Sequence, residues 1–189
     1  MNAGYLELII GPMFSGKTTE LLEIYKKCKF CSIPVVIINH ICDKRYHDTM
    51  VSSHDKNMAP CLQATKLSDI WNTSNNVLID ADVILINEGQ FFSDLYEIVI
   101  DMLKYNKKIY ICGLDGDFER KKFGSIIELI PLCDKVTKLT SICSVCKDGT
   151  PGIFSMRLSQ ETEQTVVGAE NYIPVCRKCY EKHNNQKKC

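Results

Sequence analysis

The stretch L-I-I-G-P-M-F-S-G-K-T, residues 8–18, decides the fold. Residues 11–18 fit the phosphate-binding loop pattern G-x-x-x-x-G-K-[ST], and the apolar residues before them predict a buried strand. Residues 17–31 follow with apolar side chains at helical spacing, which predicts a helix. A strand, a glycine-rich loop and a helix in this order favour a nucleotide-binding site over a chance glycine-rich turn.

The loop supplies the groups that a nucleoside triphosphate needs. Its glycines let backbone N–H groups close around phosphate oxygens, the Lys17 ammonium reaches the β- and γ-phosphates, and the Thr18 hydroxyl can ligate Mg²⁺. We therefore predict a triphosphate with Mg²⁺ here. The residues expected to contact it are Gly11, Pro12, Met13, Phe14, Ser15, Gly16, Lys17 and Thr18.

Three more short apolar runs, at residues 35–38, 83–86 and 109–112, predict further buried strands. Residues 94–105 between the last two carry apolar side chains at helical spacing. Strands that alternate with helices predict an α/β fold, with a parallel sheet covered on both faces. Polar residues just past the carboxyl ends of such strands build the site in an open α/β sheet.

The chain has eleven cysteines, and four of them form two C-x-x-C pairs with 29 residues between the pairs. Two such turns can complete a tetrahedral zinc site with no open position for substrate, so we predict a structural zinc. Reduced or disulfide-bonded turns are the alternative, and redox chemistry is a weaker third one. The predicted metal ligands are Cys143, Cys146, Cys176 and Cys179.

The alternation of apolar strands and helices ends near residue 142, just before the first cysteine pair. We predict a nucleotide-binding α/β domain over residues 1–141 and a small zinc-binding lobe over residues 142–189. The polar segment between the cysteine pairs, near residues 159–168, is expected to act as a lid that excludes water from the site.

Composition limits the partners. Lys plus Arg number 23 and Asp plus Glu number 23, so no basic field would hold nucleic acid by charge alone. No window holds eighteen uninterrupted apolar residues, and the first residues lack a signal-peptide pattern. We expect a soluble cytoplasmic protein without a membrane or nucleic-acid partner.

Several segments together resemble the thymidine kinases of the human cytosolic, bacterial and poxviral type. Besides the phosphate-binding loop, they are E-G-Q-F-F at residues 88–92, G-L-D-G-D-F-E-R-K-K-F-G at residues 113–124, and G-A-E-N-Y at residues 168–172 between the cysteine pairs. They occur in the family's order over about 175 residues of the chain. The loop alone would be unspecific, but the set is highly specific.

The resemblance implies a homotetramer that transfers the γ-phosphoryl of ATP to the 5′-hydroxyl of thymidine. It makes Glu88 the general base and Phe123 the ring that stacks on thymine. Feedback inhibition by dTTP is a further expectation. Beyond the loop, the ATP contacts it implies are Asp43, Lys44, Arg45, Asn87 and Gln90. The nucleoside contacts it implies are Met13, Phe91, Leu114, Phe123, Glu163, Gln164, Thr165, Val166, Val167 and Tyr172.

Three positions in two segments depart from the family pattern. Asn87 stands where the family usually has Asp, so we hypothesise weaker Mg²⁺ affinity with the fold unchanged. Asp117 and Glu119 add carboxylates to a segment near the phosphates, and we expect both to face solvent.

Several roles keep an alternative. Glu88 could instead hold a metal through water or start a helix, Phe123 could be a core aromatic, and Arg120 could stabilise the transferring phosphoryl or be a solvated charge. For the whole chain, one alternative is an ATP-driven nucleic-acid-binding protein, against which the neutral charge argues. The other is a nucleotide-sensing protein that has lost catalysis, which Asn87 keeps open.

Overall fold

The computed structural model describes residues 3–43, 50–52, 57–71, 76–166 and 168–187. The strands are β1 (Tyr5–Ile10), β2 (Val35–His40), β3 (Met50–Ser52), β4 (Met58–Pro60), β5 (Leu62–Ala64), β6 (Val83–Asn87), β7 (Lys108–Gly113), β8 (Lys135–Lys138), β9 (Ser141–Ile142), β10 (Pro151–Gly152), β11 (Phe154–Arg157) and β12 (Tyr172–Val175). The α-helices are α1 (Lys17–Phe30), α2 (Ser68–Trp71), α3 (Asn76–Asp80), α4 (Leu95–Lys104) and α5 (Arg177–Lys187). Short 3₁₀ helices lie at Gly89–Phe91, Ile126–Leu132 and Ala169–Asn171.

A six-stranded sheet in the order β5-β2-β6-β7-β1-β8 forms the centre of the molecule. Every neighbouring pair in it is parallel. The four strands predicted from apolar runs are its inner strands β2, β6, β7 and β1, so the α/β prediction is confirmed. Because the strands are parallel, their carboxyl ends meet at one edge, where β1 leads into the phosphate-binding loop and β6 ends at Asn87.

Helices cover both faces of the sheet, as the sequence predicts. On one face Leu21 and Leu22 of α1 pack with the fully buried Ile9 and Leu85. On the other face α4 and the 3₁₀ helix Ile126–Leu132 contribute a second core cluster, in which Val99 is fully buried. Two apolar layers of this kind hold the loops at the sheet edge in place.

The polar stretch after β2 contains an antiparallel hairpin of β3 and β4 that the sequence did not predict. Its inward residues Val51 and Ala59 are buried in the same core cluster as α1. The hairpin is followed directly by β5, which forms the edge of the main sheet beside β2.

The small lobe consists of two short antiparallel pairs, β9 with β10 and β11 with β12, and of helix α5. Its own core cluster contains Met156, Val175 and Tyr180 together with cysteines. The lobe is joined to the sheet domain where the Tyr180 hydroxyl donates to the carbonyl of Phe118 at 2.6 Å. The division at residue 142 stays a prediction.

Among the helices that the described ranges contain, none is both long and apolar enough to cross a membrane.

Candidate functional site

The phosphate-binding loop follows β1 without interruption and ends at Gly16, which begins α1 with a positive φ of 84°. Glycine adopts this left-handed conformation without the steric cost of a Cβ. The turn leaves the first N–H groups of α1 facing the loop, where a helix start favours an anion. Within the loop, the Lys17 ammonium donates to the carbonyl of Pro12 at 2.6 Å.

A cavity of about 750 Å³ opens in front of this loop. Both the sheet domain and the small lobe contribute to its walls. Among the predicted contact residues, those that line it are Met13, Phe14, Ser15, Gly16, Lys17, Thr18, Asp43, Glu88, Gln90, Phe91, Leu114, Phe123, Gln164, Thr165, Val166 and Tyr172. The structure therefore brings the predicted triphosphate side and the predicted nucleoside side to one cavity.

Some predicted residues lie elsewhere or are not described. Among the described ones, the cavity wall leaves out Gly11, Pro12, Asn87, Arg120 and Glu163. The predictions for Lys44, Arg45 and Val167 fall outside the described residues.

Glu88 follows the last residue of β6 and has an unusual backbone, with φ 55° and ψ 42°. A residue other than glycine in this region costs about 1–3 kcal/mol, and such strain is concentrated at functional sites. The Glu88 carboxylate accepts a hydrogen bond of 2.7 Å from the Gln90 side chain, and the backbone N–H of Leu114 donates to the Gln90 oxygen at 3.0 Å. The end of β7 therefore orients the carboxylate through one glutamine.

Asn87 is fully buried and connects the loop to β2. Its side-chain oxygen lies 3.3 Å from the Thr18 hydroxyl and 2.9 Å from the Cys112 sulfur. Its side-chain nitrogen donates to the Asn39 oxygen at 2.7 Å and to the Asp43 carboxylate at 3.3 Å. Hydroxyl, amide and carboxylate oxygens gathered in this way are the ligands that Mg²⁺ prefers, so the donor set fits that ion.

Two aromatic rings form the apolar part of the cavity wall. Phe91 and Phe123 meet edge to face, with ring centroids 5.5 Å apart and an angle of 89° between the planes. Phe123 is 8% exposed although it follows the exposed Lys121 and Lys122, so the neighbouring lysines do not make it a surface residue. Its remaining exposure is toward a cavity that a planar ligand can enter.

The expectation that Asp117 faces solvent is wrong. Asp117 is 7% exposed and lines the cavity. Its carboxylate accepts the backbone N–H groups of Glu119 and Lys121 at 2.9 and 2.8 Å, and the side-chain N–H of Gln164 at 2.7 Å. Three donors replace the water that the charge gives up, which is why a carboxylate can be buried here. Glu119 is exposed as expected and pairs with Lys121.

Arg120 lies between the sheet domain and helix α5. Its guanidinium forms an ion pair of 2.5 Å with Glu181 and lies 4.4 Å from the centroid of the Tyr180 ring. The hydrogen bond with the Glu181 carboxylate raises the pKa of Arg120 above its ordinary value. An arginine is a cation in either case. In this arrangement it ties the small lobe to the sheet domain, and a contact with phosphate stays a prediction.

Sequence reasoning missed several residues of the cavity wall. The Ser155 hydroxyl accepts the backbone N–H of Met13 at 2.9 Å and so connects the small lobe to the phosphate-binding loop. Phe118 and Glu170 also line the cavity. Glu170 lies within the G-A-E-N-Y segment and Phe118 within D-F-E-R, so both motifs marked the region without indicating these side chains. No sequence pattern distinguished Ser155.

The cysteines of the two C-x-x-C pairs come together in the small lobe, with all four sulfur atoms within 4.8 Å of one another. The sulfur of Cys146 lies 3.5 Å from that of Cys179 and 3.8 Å from that of Cys176. A tetrahedral site with Zn–S bonds of about 2.3 Å places sulfurs roughly 3.8 Å apart, so the donor set fits structural zinc. Burial raises the pKa of Cys143, but backbone N–H groups of Cys146, Cys176 and Val145 outweigh burial and lower that pKa to about 6.

Comparison with known proteins agrees with this geometry. The family model described as thymidine kinase matches residues 4–180. The thymidine kinases of vaccinia virus (strain Western Reserve) and variola virus are each 43% identical to this chain over 182 residues, which cover 95% of this chain and 98% of theirs. The thymidine kinase of sheeppox virus (strain KS-1) is 41% identical with the same coverage. The chain therefore belongs to the thymidine kinase family.

Proposed function

We propose that this chain transfers the γ-phosphoryl group of ATP to the 5′-hydroxyl of thymidine and so produces dTMP. The observation that carries the proposal is the placement of one oriented carboxylate, Glu88, on the wall of the cavity that the phosphate-binding loop also lines. Membership of the thymidine kinase family supports the same reaction and the same nucleoside.

The reaction needs positioning and charge neutralisation more than covalent chemistry. Lys17 and the N–H groups at the start of α1 face the space that the β- and γ-phosphates would occupy. The side chains of Thr18 and Asp43, with Asn87 behind them, would hold Mg²⁺. When bound, that ion neutralises charge on the phosphate oxygens.

Glu88 is proposed as the general base for the 5′-hydroxyl. A base must lie within hydrogen-bond reach of the proton that it accepts. Gln90 donates to one oxygen of the Glu88 carboxylate at 2.7 Å, which orients this group on the wall of the cavity where the 5′-hydroxyl would bind. The strained backbone of Glu88 supports a functional role over that of an ordinary helix start.

The nucleoside is proposed to bind between the aromatic pair and the loop at residues 163–167. Stacking of a base on an aromatic ring contributes about 1–3 kcal/mol, and Phe123 offers such a ring. Gln164, Thr165, Val166 and Tyr172 also line the cavity. Backbone groups of this loop would then read the edge of the base.

Further parts of the proposal rest on the family relationship. They are a structural zinc in the cysteine cluster, a homotetramer, a cytoplasmic location, a role in nucleotide salvage for DNA synthesis, and inhibition by dTTP. Metal analysis of the purified protein would measure the zinc content, and light scattering would measure the oligomeric state.

The proposal is tested by incubating the chain with ATP and each of the four deoxynucleosides in turn and by following monophosphate formation. We expect dTMP from thymidine and far slower reaction with the other three, with a Lys17→Ala variant as the inactive control. ATP binding without any monophosphate would instead support a nucleotide sensor. Tight DNA binding with a steep salt dependence would support a nucleic-acid-dependent ATPase.

A further inference from the structure

A buried arginine at the end of β11 organises the segment between the two cysteine pairs. Arg157 is 2% exposed. Its guanidinium donates to the backbone carbonyls of Glu161 at 3.0 Å, Glu163 at 2.5 Å and Gln164 at 3.0 Å, and to the Tyr172 hydroxyl at 3.1 and 2.6 Å. These contacts join residues 161–164 to Tyr172, the first residue of β12.

The number of contacts matches the chemistry of the side chain. A guanidinium has five N–H donors in a fixed planar fork and no acceptor. Arg157 makes five hydrogen bonds, so each of its donors has a partner. Lysine carries three donors on one atom and cannot reproduce this fork.

Arg157 also connects two walls of the cavity. The Phe118 ring lies with its centroid 3.7 Å from the guanidinium carbon. The Tyr172 hydroxyl, which accepts from Arg157, donates in turn to the carbonyl of Val166 at 3.2 Å. Phe118, Val166 and Tyr172 all line the cavity, whereas Arg157 lies behind them.

The energetic cost of this arrangement indicates what it is for. Among the described residues, the hydrogen-bond acceptors of Arg157 are neutral oxygens, three carbonyls and one phenol. A buried cation with neutral partners is expensive, and an apolar side chain would stabilise a core at lower cost. Because three of the five bonds end on backbone carbonyls of residues 161–164, the arginine fixes the shape of that segment.

We propose that Arg157 is a positioning residue for the nucleoside side of the active site. It holds residues 158–166 in the shape that covers the cavity, and it acts through the backbone and Tyr172 without touching the substrate. The identity of the covered ligand rests on the proposed function, whereas the shape of the segment does not.

The test compares Arg157→Lys with Arg177→Lys, an exposed arginine of the same lobe whose guanidinium lies 5.0 Å from the centroid of the Phe154 ring. We expect Arg157→Lys to raise the KM for thymidine about tenfold and to leave the KM for ATP within about twofold. Amide hydrogen exchange at residues 158–166 should become about tenfold faster. Arg177→Lys should change none of these values.

Tyr172→Phe provides a second variant in case Arg157→Lys folds poorly. It keeps the ring and removes both the acceptor for Arg157 and the donor to Val166, so it should accelerate exchange in the same segment. Exchange is the readout for this variant because Tyr172 itself lines the cavity. The proposal is overturned if Arg157→Lys leaves exchange at residues 158–166 and the KM for thymidine unchanged. It is also overturned if the KM values for thymidine and ATP rise equally while zinc is lost.

The exchange measurement needs no turnover. If the wild-type chain forms no dTMP while Arg157→Lys still accelerates exchange in the segment, the proposed function fails and the positioning role stands.

Discussion

The side-chain nitrogen of Gln164 lies 2.7 Å from the carboxylate of Asp117, and this hydrogen bond joins residues 158–166 of the small lobe, the cover segment, to the sheet domain. The same Gln164 nitrogen also donates to the carbonyl of Lys122 at 3.2 Å. Both acceptors lie between β7 and the 3₁₀ helix Ile126–Leu132. This stretch of the sheet domain therefore supplies two partners for the segment that covers the cavity.

Asp117→Asn tests this contact, because an amide nitrogen would then face the Gln164 nitrogen. The loss of one hydrogen bond to a charged group costs about 1.5–3 kcal/mol, so we expect the dissociation constant for thymidine to rise roughly ten- to hundredfold. Titration calorimetry with thymidine measures the effect. Glu119→Gln, at an exposed neighbour, is the matched control. An unchanged dissociation constant for Asp117→Asn would mean that the contact does not hold the segment closed.

Asn87→Asp should strengthen Mg²⁺ binding in the presence of ATP. A carboxylate adds a negative charge beside the Thr18 hydroxyl and the Asp43 carboxylate. Without metal the two carboxylates repel each other, so we expect lower stability that Mg²⁺ restores. The buried side-chain nitrogen of Asn39 lacks a partner among the described residues, and rotation of that amide would bring it to the new carboxylate.

Mg²⁺ titrations of both activity and melting temperature measure this change. Asn106→Asp makes the same substitution at an exposed turn and should alter neither. If Asn87→Asp showed the wild-type requirement for Mg²⁺, the role of this position in metal binding would be refuted.

Removal of the proposed zinc from the cysteine cluster should weaken thymidine binding more than ATP binding. The cluster lies in the core of the small lobe, and the cover segment is attached at both ends to strands that lead to these cysteines. Without the metal the sulfur atoms repel each other when ionised, and the lobe loosens. Chelation followed by calorimetry with each ligand is the measurement. Cys179→Ser should behave like the chelated protein and Cys31→Ser, at an exposed cysteine, like the wild type. Intact thymidine affinity after complete metal removal would contradict this account.

Asp94 should make the stability of the fold depend on acid pH. Burial raises the pKa of the Asp94 carboxyl, but the backbone N–H groups of Ser68 and Leu67, at 2.9 and 3.0 Å, outweigh burial and hold that pKa below its ordinary value. The carboxylate therefore stabilises the folded state above the unfolded pKa of about 3.9, and this stabilisation is lost as the pH falls through the lower folded pKa.

Urea unfolding of Asp94→Asn at several pH values measures that contribution. At pH 7 we expect a loss of about 1–3 kcal/mol in the free energy of unfolding, and this difference should shrink toward pH 3. Asp80→Asn, at an exposed position, is the control. A difference that stayed constant with pH would show that the charge of Asp94 is not involved.

Glu88→Gln should lower kcat by about 10²–10⁴-fold with little change in the KM for thymidine, because general base catalysis acts in the transition state. Gln90 would still find a side-chain oxygen to donate to, so the local structure is kept. Steady-state kinetics measure the effect, with Glu128→Gln as a surface control. A variant with wild-type kcat would remove Glu88 from this role.

The parts of the fold that could be predicted are those where a physical pattern repeats. The inner strands are continuous apolar runs because helices cover both faces of the sheet, and the loop at residues 11–18 is marked by glycines that its backbone requires. The β3–β4 hairpin was missed because each of its strands has only three residues. Strands this short bury too few apolar side chains to show the alternation of apolar and polar residues that marks a strand. Asp117 and Arg157 were missed for another reason, since a charged residue is expected at the surface unless its partners are known. One partner of Asp117, Gln164, lies 47 residues away, and one partner of Arg157, Tyr172, lies on a separate strand.

A crystal structure of the chain with thymidine and a non-hydrolysable ATP analogue tests the central claim most directly. We predict that the Glu88 carboxylate lies within about 2.6–3.2 Å of the 5′-oxygen of thymidine, on the side opposite the terminal phosphate contacts of Lys17. A Glu88 side chain that points away from the sugar, with no oxygen near that hydroxyl, would contradict the account.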